Sequence, residues 1–356
     1  MANMNIMQMN INDMVDLMTP LYAKTSPKKV PSLMIWGPPG IGKSQSFREI
    51  AIKLENLARK NVVITDVRLL LFNPVDLRGI PVADAKKELA IWLKPQIFQM
   101  NSSEDVINIL ILDEISAAPL SVQAAAYQIT LDRIIGEHKL PDNCIVVAAG
   151  NRVTDKSVSY KMPKALANRM THIEMVCDVD DWKKWAIPHG IDSTIIGYVN
   201  FKNSSLFQFD PSNDDVAYPT PRSWEMVDTY IKQIGSIEKA FPLIAGSIGL
   251  GAATEFRAYT KVYDKLPSIK DIMDGKKVEM PSEPSILYAL SSTLSANVQK
   301  AKETELKNII NFILEMPAEF ATLTIRDIAV IESLRKKIQV MPEWIQGIKK
   351  YRGFIM

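Results

Sequence analysis

The first half of the chain alternates short strand-like runs with segments whose apolar residues recur at helical spacing. The runs are Leu33–Trp36, Val62–Val67, Ile109–Leu112, Cys144–Ala149 and Thr171–Val176, and the helical segments are Gln45–Leu57 and Ser121–Leu131. Runs this short suit buried strands. Buried strands that alternate with helices predict a parallel sheet covered on both faces. We therefore expect an α/β domain with a five-stranded parallel sheet over residues 1–205.

The second half carries a nearly continuous helical pattern. It follows a polar stretch at residues 202–215 and the turn-forming segment Pro219-Thr220-Pro221. The candidate helices are Ser223–Gln233, Ile237–Ile248, Glu255–Tyr263, Ile286–Asn297, Glu303–Leu314 and Ile325–Val340, and Pro267–Pro284 is a predicted loop. We therefore predict an all-helical domain over residues 206–356.

Two smaller elements complete the predicted organisation. Between the second and third strands, the apolar runs Gly79–Asp84 and Leu89–Leu93 flank a charged turn, which predicts a small hairpin. Methionines recur through an otherwise polar N-terminal stretch at positions 1, 4, 7, 9, 14 and 18. This spacing favours an amphipathic helix that packs on the core, with packing on a neighbouring protein as the alternative.

The most informative motif lies between the first strand and the first helix. Residues Gly37–Ser44 read G-P-P-G-I-G-K-S, which is a complete phosphate-loop pattern in its strand–loop–helix context. In such a loop, glycines let backbone N–H groups converge on phosphates, and the helix start adds a partial positive charge. Lys43 would reach the β- and γ-phosphates, and the Ser44 hydroxyl would ligate Mg²⁺. A glycine turn that binds nothing is the alternative, and the flanking elements oppose it.

Polar residues follow two later strands, where a phosphate-loop protein needs them. The third strand ends in Asp113-Glu114. Asp113 would hold Mg²⁺, directly or through water, and Glu114 would polarise the attacking water. The fourth strand leads to Asn151, which can position that water if its strand lies between the first and third. An asparagine selected only for turn geometry is the alternative.

Composition and charge limit the remaining function classes. The 356 residues carry a net charge of +2, which weakens the case for a nucleic-acid surface. No run approaches the ~18 apolar residues of a membrane span, and the N-terminus has no basic start followed by an apolar core. Cys144 begins a predicted strand, Cys177 directly follows another, and they lack C-x-x-C spacing, so we expect both to be buried, reduced and inert. These features predict a cytoplasmic protein that does not bind membranes.

Over residues 30–260 the chain resembles AAA+ ATPases, most closely the MoxR branch. The resemblance rests on the loop Gly37–Ser44, the pair Asp113-Glu114, Asn151, and the segments Pro74–Pro81, Leu166–Met170 and Pro219–Trp224. It implies the AAA+ P-loop fold, followed by an all-α lid domain and C-terminal helices. It implies ATP and Mg²⁺ as cofactors, with nucleotide contacts from Pro38, Pro39, Gly40, Ile41, Gly42, Lys43, Ser44 and Gln45.

The same resemblance implies roles for two arginines and for the hairpin. Arg169 would be an arginine finger that reaches the γ-phosphate of a neighbouring subunit, and Arg222 would be the sensor-2 arginine of the lid. The hairpin near residues 79–93 would be the helix-2 insert of this branch. Arg152 is the other candidate for the finger, and a structural ion pair is the other role open to Arg169.

Three functions follow for testing. The resemblance implies a ring oligomer, expected to be hexameric, that hydrolyses ATP to remodel or assemble a protein partner, such as one with a von Willebrand factor A type domain. A nucleic-acid motor or loader on the same core is the alternative, which the near-neutral charge opposes. A scaffold that binds nucleotide without turnover is the third, and Glu114 argues against it.

Overall fold

The chain folds into two compact units. The computed structural model describes residues 6–155, 160 and 162–355. The first unit comprises Met1–Cys177 with Asp210–Asp214, and the second comprises Asp178–Phe209 with Asp215–Met356. The division into domains at residues 205 and 206 stays a prediction. By these groupings, the segment Asp178–Phe209 folds with the helical unit.

A parallel sheet forms the centre of the first unit. Its strands are β1 (Gln8–Met9), β2 (Leu33–Trp36), β3 (Asn61–Arg68), β6 (Val106–Asp113), β9 (Cys144–Gly150) and β10 (Thr171–Met175), while β4 (Ile80–Ala83), β5 (Ala90–Leu93), β7 (Ile134–Ile135) and β8 (His138–Lys139) form two hairpins. The sheet order is β1-β10-β2-β9-β6-β3, with every pair parallel. The predicted parallel sheet is confirmed, with six strands instead of five.

The added strand explains the difference. β1 has two residues and pairs with β10, so it is too short to produce a periodic signal. The central strands are the expected apolar ones: every residue of β9 is buried, and so is every residue of β6 except Asp113. Asn108, inside β6, is buried, so the polar side chain of these strands that is not buried is Asp113, where β6 ends.

Helices cover both faces of this sheet. The first-unit helices are α1 (Ile11–Lys24), α2 (Lys43–Ala58), α3 (Pro74–Arg78), α4 (Leu120–Asp132) and α5 (Lys164–Ala167). Alternate strand residues such as Leu110 and Val146 share one buried cluster with Val122 and Ala126 of α4. The buried residues of α2 lie outside that cluster, and α2 contacts β3 and β6. Because strand side chains alternate between faces, the two helices lie on opposite sides.

The methionine-rich stretch forms the predicted amphipathic helix in part. Met14 and Met18 are buried on α1, which packs against α2, whereas Met7 is exposed before the helix. Met1 and Met4 lie outside the described residues. Core packing by Met14 and Met18 therefore accounts for the helical part of this pattern.

The predicted hairpin is present as the antiparallel pair β4 and β5. Gly79 precedes β4 with φ +93°, and a Cβ atom there would lie 1.9 Å from the carbonyl oxygen of Leu93. Only glycine fits this close approach. Ile80, Ile91 and Leu93 remain exposed on the hairpin.

The second unit is entirely helical in its described α and β elements. Its helices are α6 (Val179–Ala186), α7 (Ser193–Phe201), α8 (Pro221–Ile234), α9 (Ile237–Ile248), α10 (Leu250–Thr260), α11 (Ile269–Met273), α12 (Pro284–Asn297), α13 (Glu303–Glu315), α14 (Ala318–Ala329), α15 (Glu332–Ile338) and α16 (Pro342–Ile355). The predicted helical C-terminal region is confirmed. Helices α6, α7 and α16 were not predicted, and α11 lies within the predicted loop.

One helix prediction was wrong in a way that the backbone explains. The single helix predicted at Ile325–Val340 is two helices, because Ile331 adopts an extended conformation between α14 and α15. Its buried side chain preserves the apolar spacing across the break. Periodicity alone therefore does not reveal the turn.

The two cysteines differ in burial. Cys144 is buried, and burial raises the pKa of its thiol to about 11, whereas Cys177 is half-buried and follows the end of β10. Both cysteines are free.

Within the part of the chain that the structure describes, no helix is both long and apolar enough to cross a membrane.

Candidate functional site

The phosphate-loop segment connects the buried strand β2 to α2. Gly40 and Gly42 have φ angles of +79° and +97°, in the left-handed region that glycine adopts without steric cost. The Ser46 N–H donates to the Gly42 carbonyl at 2.9 Å. The N–H groups of the first turn of α2 have no acceptor within the helix, so they make its N-terminus attractive to an anion.

The Lys43 ammonium lies against this loop. Its Nζ donates to the carbonyl oxygens of Gly37 and Pro38 at 2.7 and 2.8 Å and to Oδ1 of Asn151 at 2.8 Å. β9 lies between β2 and β6 in the sheet, which is the arrangement that the Asn151 prediction required. The loop, the ammonium and the side-chain amide therefore share one edge of the sheet.

The other predicted nucleotide contacts vary in exposure. Ile41 is buried, Pro39 is half-buried, and Gln45 is exposed with its amide 3.4 Å from Glu49. Within the loop, Gly37, Pro38 and Ile41 are thus buried, whereas Pro39, Gly40, Gly42, Lys43 and Ser44 are half-buried. Their contacts with nucleotide stay predictions.

Ser44 and Asp113 meet at the same edge. The Ser44 hydroxyl donates to Oδ2 of Asp113 at 2.6 Å, and both side chains are half-buried. A hydroxyl and a carboxylate are hard oxygen ligands of the kind that Mg²⁺ prefers beside phosphate. These two residues fit a magnesium ion that is also held by a bound nucleotide.

Glu114 occupies an unusual backbone conformation directly after Asp113. Its φ is +55°, which is uncommon for a residue with a Cβ atom. Its N–H donates to Oδ1 of Asp113 at 2.8 Å, and the next N–H, of Ile115, donates to the Ala149 carbonyl at 3.1 Å. Conformations of this kind persist where surrounding contacts enforce them, and they cluster at functional sites.

Ser116 and Asp66 also belong to this edge, and we did not predict either. The Ser116 hydroxyl accepts a hydrogen bond from the Asn151 N–H at 3.0 Å. Burial, with the nearby charge of Asp113, raises the pKa of the Asp66 carboxyl. Asp66 lies near the end of β3, so an acid at a predicted strand end was the available signal for it.

The two candidate finger arginines have different surroundings. Arg152 is held within its own unit, where its guanidinium pairs with Asp155 at 2.8 Å and with Glu174. Both partners are buried, which fixes Arg152 in place. Arg169 is exposed in the turn after α5 and, among the described residues, forms no ion pair. Of these two arginines, Arg169 is therefore the more accessible to solvent.

Arg222 lies in the second unit, in the first turn of α8. Thr220 caps this helix, accepting a hydrogen bond from the Ser223 N–H at 3.0 Å, and Arg222 is exposed. Its part in a nucleotide site stays a prediction.

Comparison with known protein families identifies the domain that holds this site. Residues 33–177 match the family described as ATPase family associated with various cellular activities (AAA). Residues 33–177 carry an AAA domain. The match begins with β2 and contains Lys43, Asp113, Asn151 and Arg169, but it ends before Arg222. AAA domains bind nucleotide and commonly form oligomers, and the parallel sheet with its phosphate loop is the AAA+ P-loop fold.

Individual relatives are distant. Replication factor C subunit 5 of Arabidopsis thaliana is 28% identical over 165 residues, which are 44% of this chain and 41% of that protein. The chain therefore matches under half the length of this relative. Among solved structures, a RuvB mutant of Thermotoga maritima has a TM-score of 0.36 at 15% identity, covering 83% of this chain and 86% of that one. NtrX of Brucella abortus in complex with ATP has a TM-score of 0.37 at 12% identity, covering 96% and 68%.

Proposed function

We propose that the AAA domain hydrolyses ATP to ADP and phosphate. The observation that carries this proposal is the convergence of Lys43, Ser44, Asp113 and Asn151 at one sheet edge, with Glu114 held beside them at a positive φ. A domain that only bound nucleotide would not need a carboxylate in an enforced conformation beside the metal-binding pair. Hydrolysis does need a group that polarises water.

Each side chain has a distinct part in this reaction. When nucleotide binds, the Lys43 ammonium would donate to the β- and γ-phosphate oxygens instead of to the loop carbonyls, while the helix N-terminus binds the same phosphates. Ser44 and Asp113 would hold Mg²⁺, which neutralises phosphate charge when it is bound. Glu114 would accept the proton of the attacking water, and Asn151 would orient that water. The Ser116 hydroxyl would keep the Asn151 backbone in place.

The exposure of Arg169 supports hydrolysis within an oligomer. Phosphoryl transfer spreads negative charge over the γ-phosphate oxygens, and a guanidinium supplied by a neighbouring subunit compensates it. Arg152 is unsuited to this role because two buried carboxylates hold it. We therefore propose a ring, expected to be hexameric, in which Arg169 completes the next subunit's site and Arg222 acts as sensor 2.

The proposed work of this ring is the remodelling or assembly of a protein partner, as the likeness to the MoxR branch suggests. A partner with a von Willebrand factor A type domain is the expected client. The exposed apolar residues of the β4–β5 hairpin are compatible with contact to a protein. The net charge of +2 favours a protein over a nucleic acid as the partner.

A second candidate is a nucleic-acid motor or loader. The similarity to replication factor C subunit 5 favours it, because that name indicates work on DNA replication. The similarity is limited to 165 residues, and the chain lacks the strong positive charge that phosphate-backbone binding usually requires.

The test measures phosphate release and particle mass together. The purified full chain should hydrolyse ATP and should form a larger particle with ATP than without it, whereas Lys43→Ala should do neither. A wild-type protein that stays monomeric and releases no phosphate would contradict the proposal. Stimulation by a von Willebrand factor A type protein would support remodelling. Stimulation by DNA or RNA with a steep salt dependence would replace remodelling with the second candidate.

A further inference from the structure

A histidine joins the phosphate-loop strand to the turn that carries Arg169. The Trp36 indole Nε1–H donates to Nδ1 of His172 at 2.9 Å, and the two rings lie edge to edge, nearly parallel at 18°, with centroids 6.1 Å apart. His172 Nε2 lies 2.6 Å from the carbonyl oxygen of Ala167. Trp36 directly precedes Gly37, and Ala167 lies two residues before Arg169. The side chain of His172 therefore bridges the beginning of the loop and the base of the proposed finger.

The two contacts together define one form of the imidazole. An indole nitrogen can only donate, so Nδ1 of His172 must accept and carries no proton. A carbonyl oxygen can only accept, so Nε2 must carry the proton. The neutral Nε2–H tautomer satisfies both partners at once, and neither nitrogen is left for another role.

The turn itself depends on the Ala167 carbonyl. The Met170 N–H also donates to this oxygen, at 3.3 Å, and the Thr171 N–H donates to the Ser32 carbonyl at 2.9 Å. Arg169 lies in the short segment between these anchors. α5 has only four residues, so the helix alone gives this turn little support.

The sheet register explains why His172 can reach both partners. His172 pairs with Met34 in the β10–β2 ladder, and Trp36 lies two residues further along β2, on the same face. Diagonal neighbours of this kind are within reach of aromatic side chains. The imidazole of His172 therefore connects the end of β2, at the loop, with the turn after α5.

We propose that His172 is a positioning residue for Arg169, which links the conformation of the phosphate loop in one subunit to the finger that this subunit offers to its neighbour. This inference rests on the proposed function, since it needs Arg169 to act in hydrolysis. His172 touches no reacting atom and acts through Arg169 alone. Its loss should therefore lower kcat and leave nucleotide affinity unchanged.

The experiment is a double-mutant cycle on the full-length protein. The variants are His172→Ala, Arg169→Ala and their combination, with kcat, KM and the affinity for a fluorescent ATP analogue measured for each. His172→Ala should lower kcat by about 10- to 100-fold, the range expected when a catalytic group is displaced by about 1 Å. The double variant should match Arg169→Ala alone, because His172 has no guanidinium left to position once Arg169 is removed.

Two conservative variants and a matched control sharpen the reading. His172→Gln should recover part of the lost kcat because an amide both donates and accepts, and Trp36→Phe should lower kcat because it keeps a ring without the donor. His189→Ala is the control, because His189 also contacts a tryptophan: its ring stacks on Trp185 and its Nδ1 lies 2.8 Å from the Trp185 carbonyl oxygen, but in the second unit. It should leave kcat unchanged.

The outcomes separate the inference from the proposed function. If the wild type hydrolyses no ATP, the proposed function fails and the inference falls with it. If the wild type is active and Arg169→Ala matches it, the assignment of Arg169 as the finger fails, and the inference falls while ATP hydrolysis stands. If Arg169→Ala is impaired but His172→Ala is not, or if the two losses multiply, only the inference is overturned. Should His172→Ala not fold, Trp36→Phe decides, and an unchanged kcat overturns the inference.

Discussion

The carboxylates of Asp113 in the first unit and Asp327 in the second each have a close polar partner, but their surroundings differ. Asp113 is half-buried at a strand end, 2.6 Å from the Ser44 hydroxyl. Asp327 is 2% exposed on α14, and its Oδ1 lies 3.0 Å from the ammonium of Lys183 on α6, which is 3% exposed. Burial raises the pKa of Asp327, and the Lys183 charge opposes that shift.

This difference suggests that the charged groups around Asp113 serve ligand binding, whereas the Lys183–Asp327 pair serves packing. The polar groups of the first unit are held by short contacts and remain open to a ligand, so their removal should affect turnover more than stability. The Lys183–Asp327 pair joins two helices away from solvent, so its disruption should leave an uncompensated buried charge. Asp180, half exposed, shares Lys183 at 3.0 Å and also binds Arg326 at 3.1 Å.

The largest expected effect comes from removing Arg169, an exposed arginine of the first unit. Arg169→Ala should lower kcat by about 10³-fold or more, the contribution typical of an arginine finger, with little change in the free energy of unfolding. Steady-state phosphate release and denaturant unfolding measure the two quantities.

Arg152→Ala is the matched comparison for that prediction. It leaves Asp155 and Glu174 buried without their guanidinium, so it should lower the free energy of unfolding by about 1–3 kcal/mol. If Arg152→Ala abolished turnover at full stability while Arg169→Ala did not, the finger assignment would pass to Arg152.

The next effect concerns Glu114. Glu114→Gln should lower kcat by about 10²- to 10⁴-fold, the range for loss of a general base, while ATP still binds. Rapid filtration with labelled ATP should detect a trapped nucleotide. The exposed Glu104→Gln is the control and should behave as wild type. Full activity in Glu114→Gln would remove Glu114 from the mechanism.

The structural pair of the second unit should respond in the opposite way. Lys183→Met strands the Asp327 carboxylate, so we expect a loss of about 3–5 kcal/mol in the free energy of unfolding. Adding Asp327→Leu should restore most of it. Lys184→Met, at the exposed neighbouring position of the same helix, should change little. If Lys183→Met, its combination with Asp327→Leu, and Lys184→Met were all as stable as wild type, the pair would contribute nothing to stability.

The smallest effect is a dependence on pH. Because the pKa of Asp66 is raised, the folded protein binds this proton more tightly than the unfolded chain does. Stability contributed by Asp66 is therefore lost as pH rises from the ordinary aspartate pKa through the raised value. Asp66→Asn should be more stable than wild type at neutral pH, by less than about 1 kcal/mol, and equal to it at acidic pH.

Denaturant unfolding without nucleotide or metal measures this difference, with the exposed Asp105→Asn as its control. A wild type that is more stable than Asp66→Asn at neutral pH would indicate that the weak pair with Arg48, at 3.6 Å, outweighs the burial of the carboxylate.

The sequence predicted the sheet better than the helices because buried parallel strands have a strong local signal. β2, β6 and β9 are almost continuously apolar, and glycine and acid residues mark their ends. The break at Ile331 and the strand β1 depend on tertiary contacts that no local pattern records. The sequence therefore predicted that the long elements exist more reliably than it predicted where they begin and end.

The candidate site shows the same limit. Lys43, Ser44 and Asp113 are recognisable because the motif spacing is local, whereas the bond between Lys43 and Asn151 joins positions 108 residues apart. Asp66 and Ser116 belong to the site because folding brings them to the same sheet edge, and no local motif marks them. The ion pair of Arg152 with Glu174, which argues against Arg152 as the finger, joins positions 22 residues apart and leaves no local signal in the sequence.

The most direct test of a shared site mixes two subunits that are each impaired in a different way. Glu114→Gln keeps Arg169 but cannot activate water, whereas Arg169→Ala keeps Glu114 but offers no finger. If Arg169 acts on the neighbouring subunit, mixing the two proteins should raise ATP hydrolysis well above the sum of their separate reduced rates. If Arg169 acts within its own subunit, or not at all, the mixture should release no more phosphate than the sum of its parts.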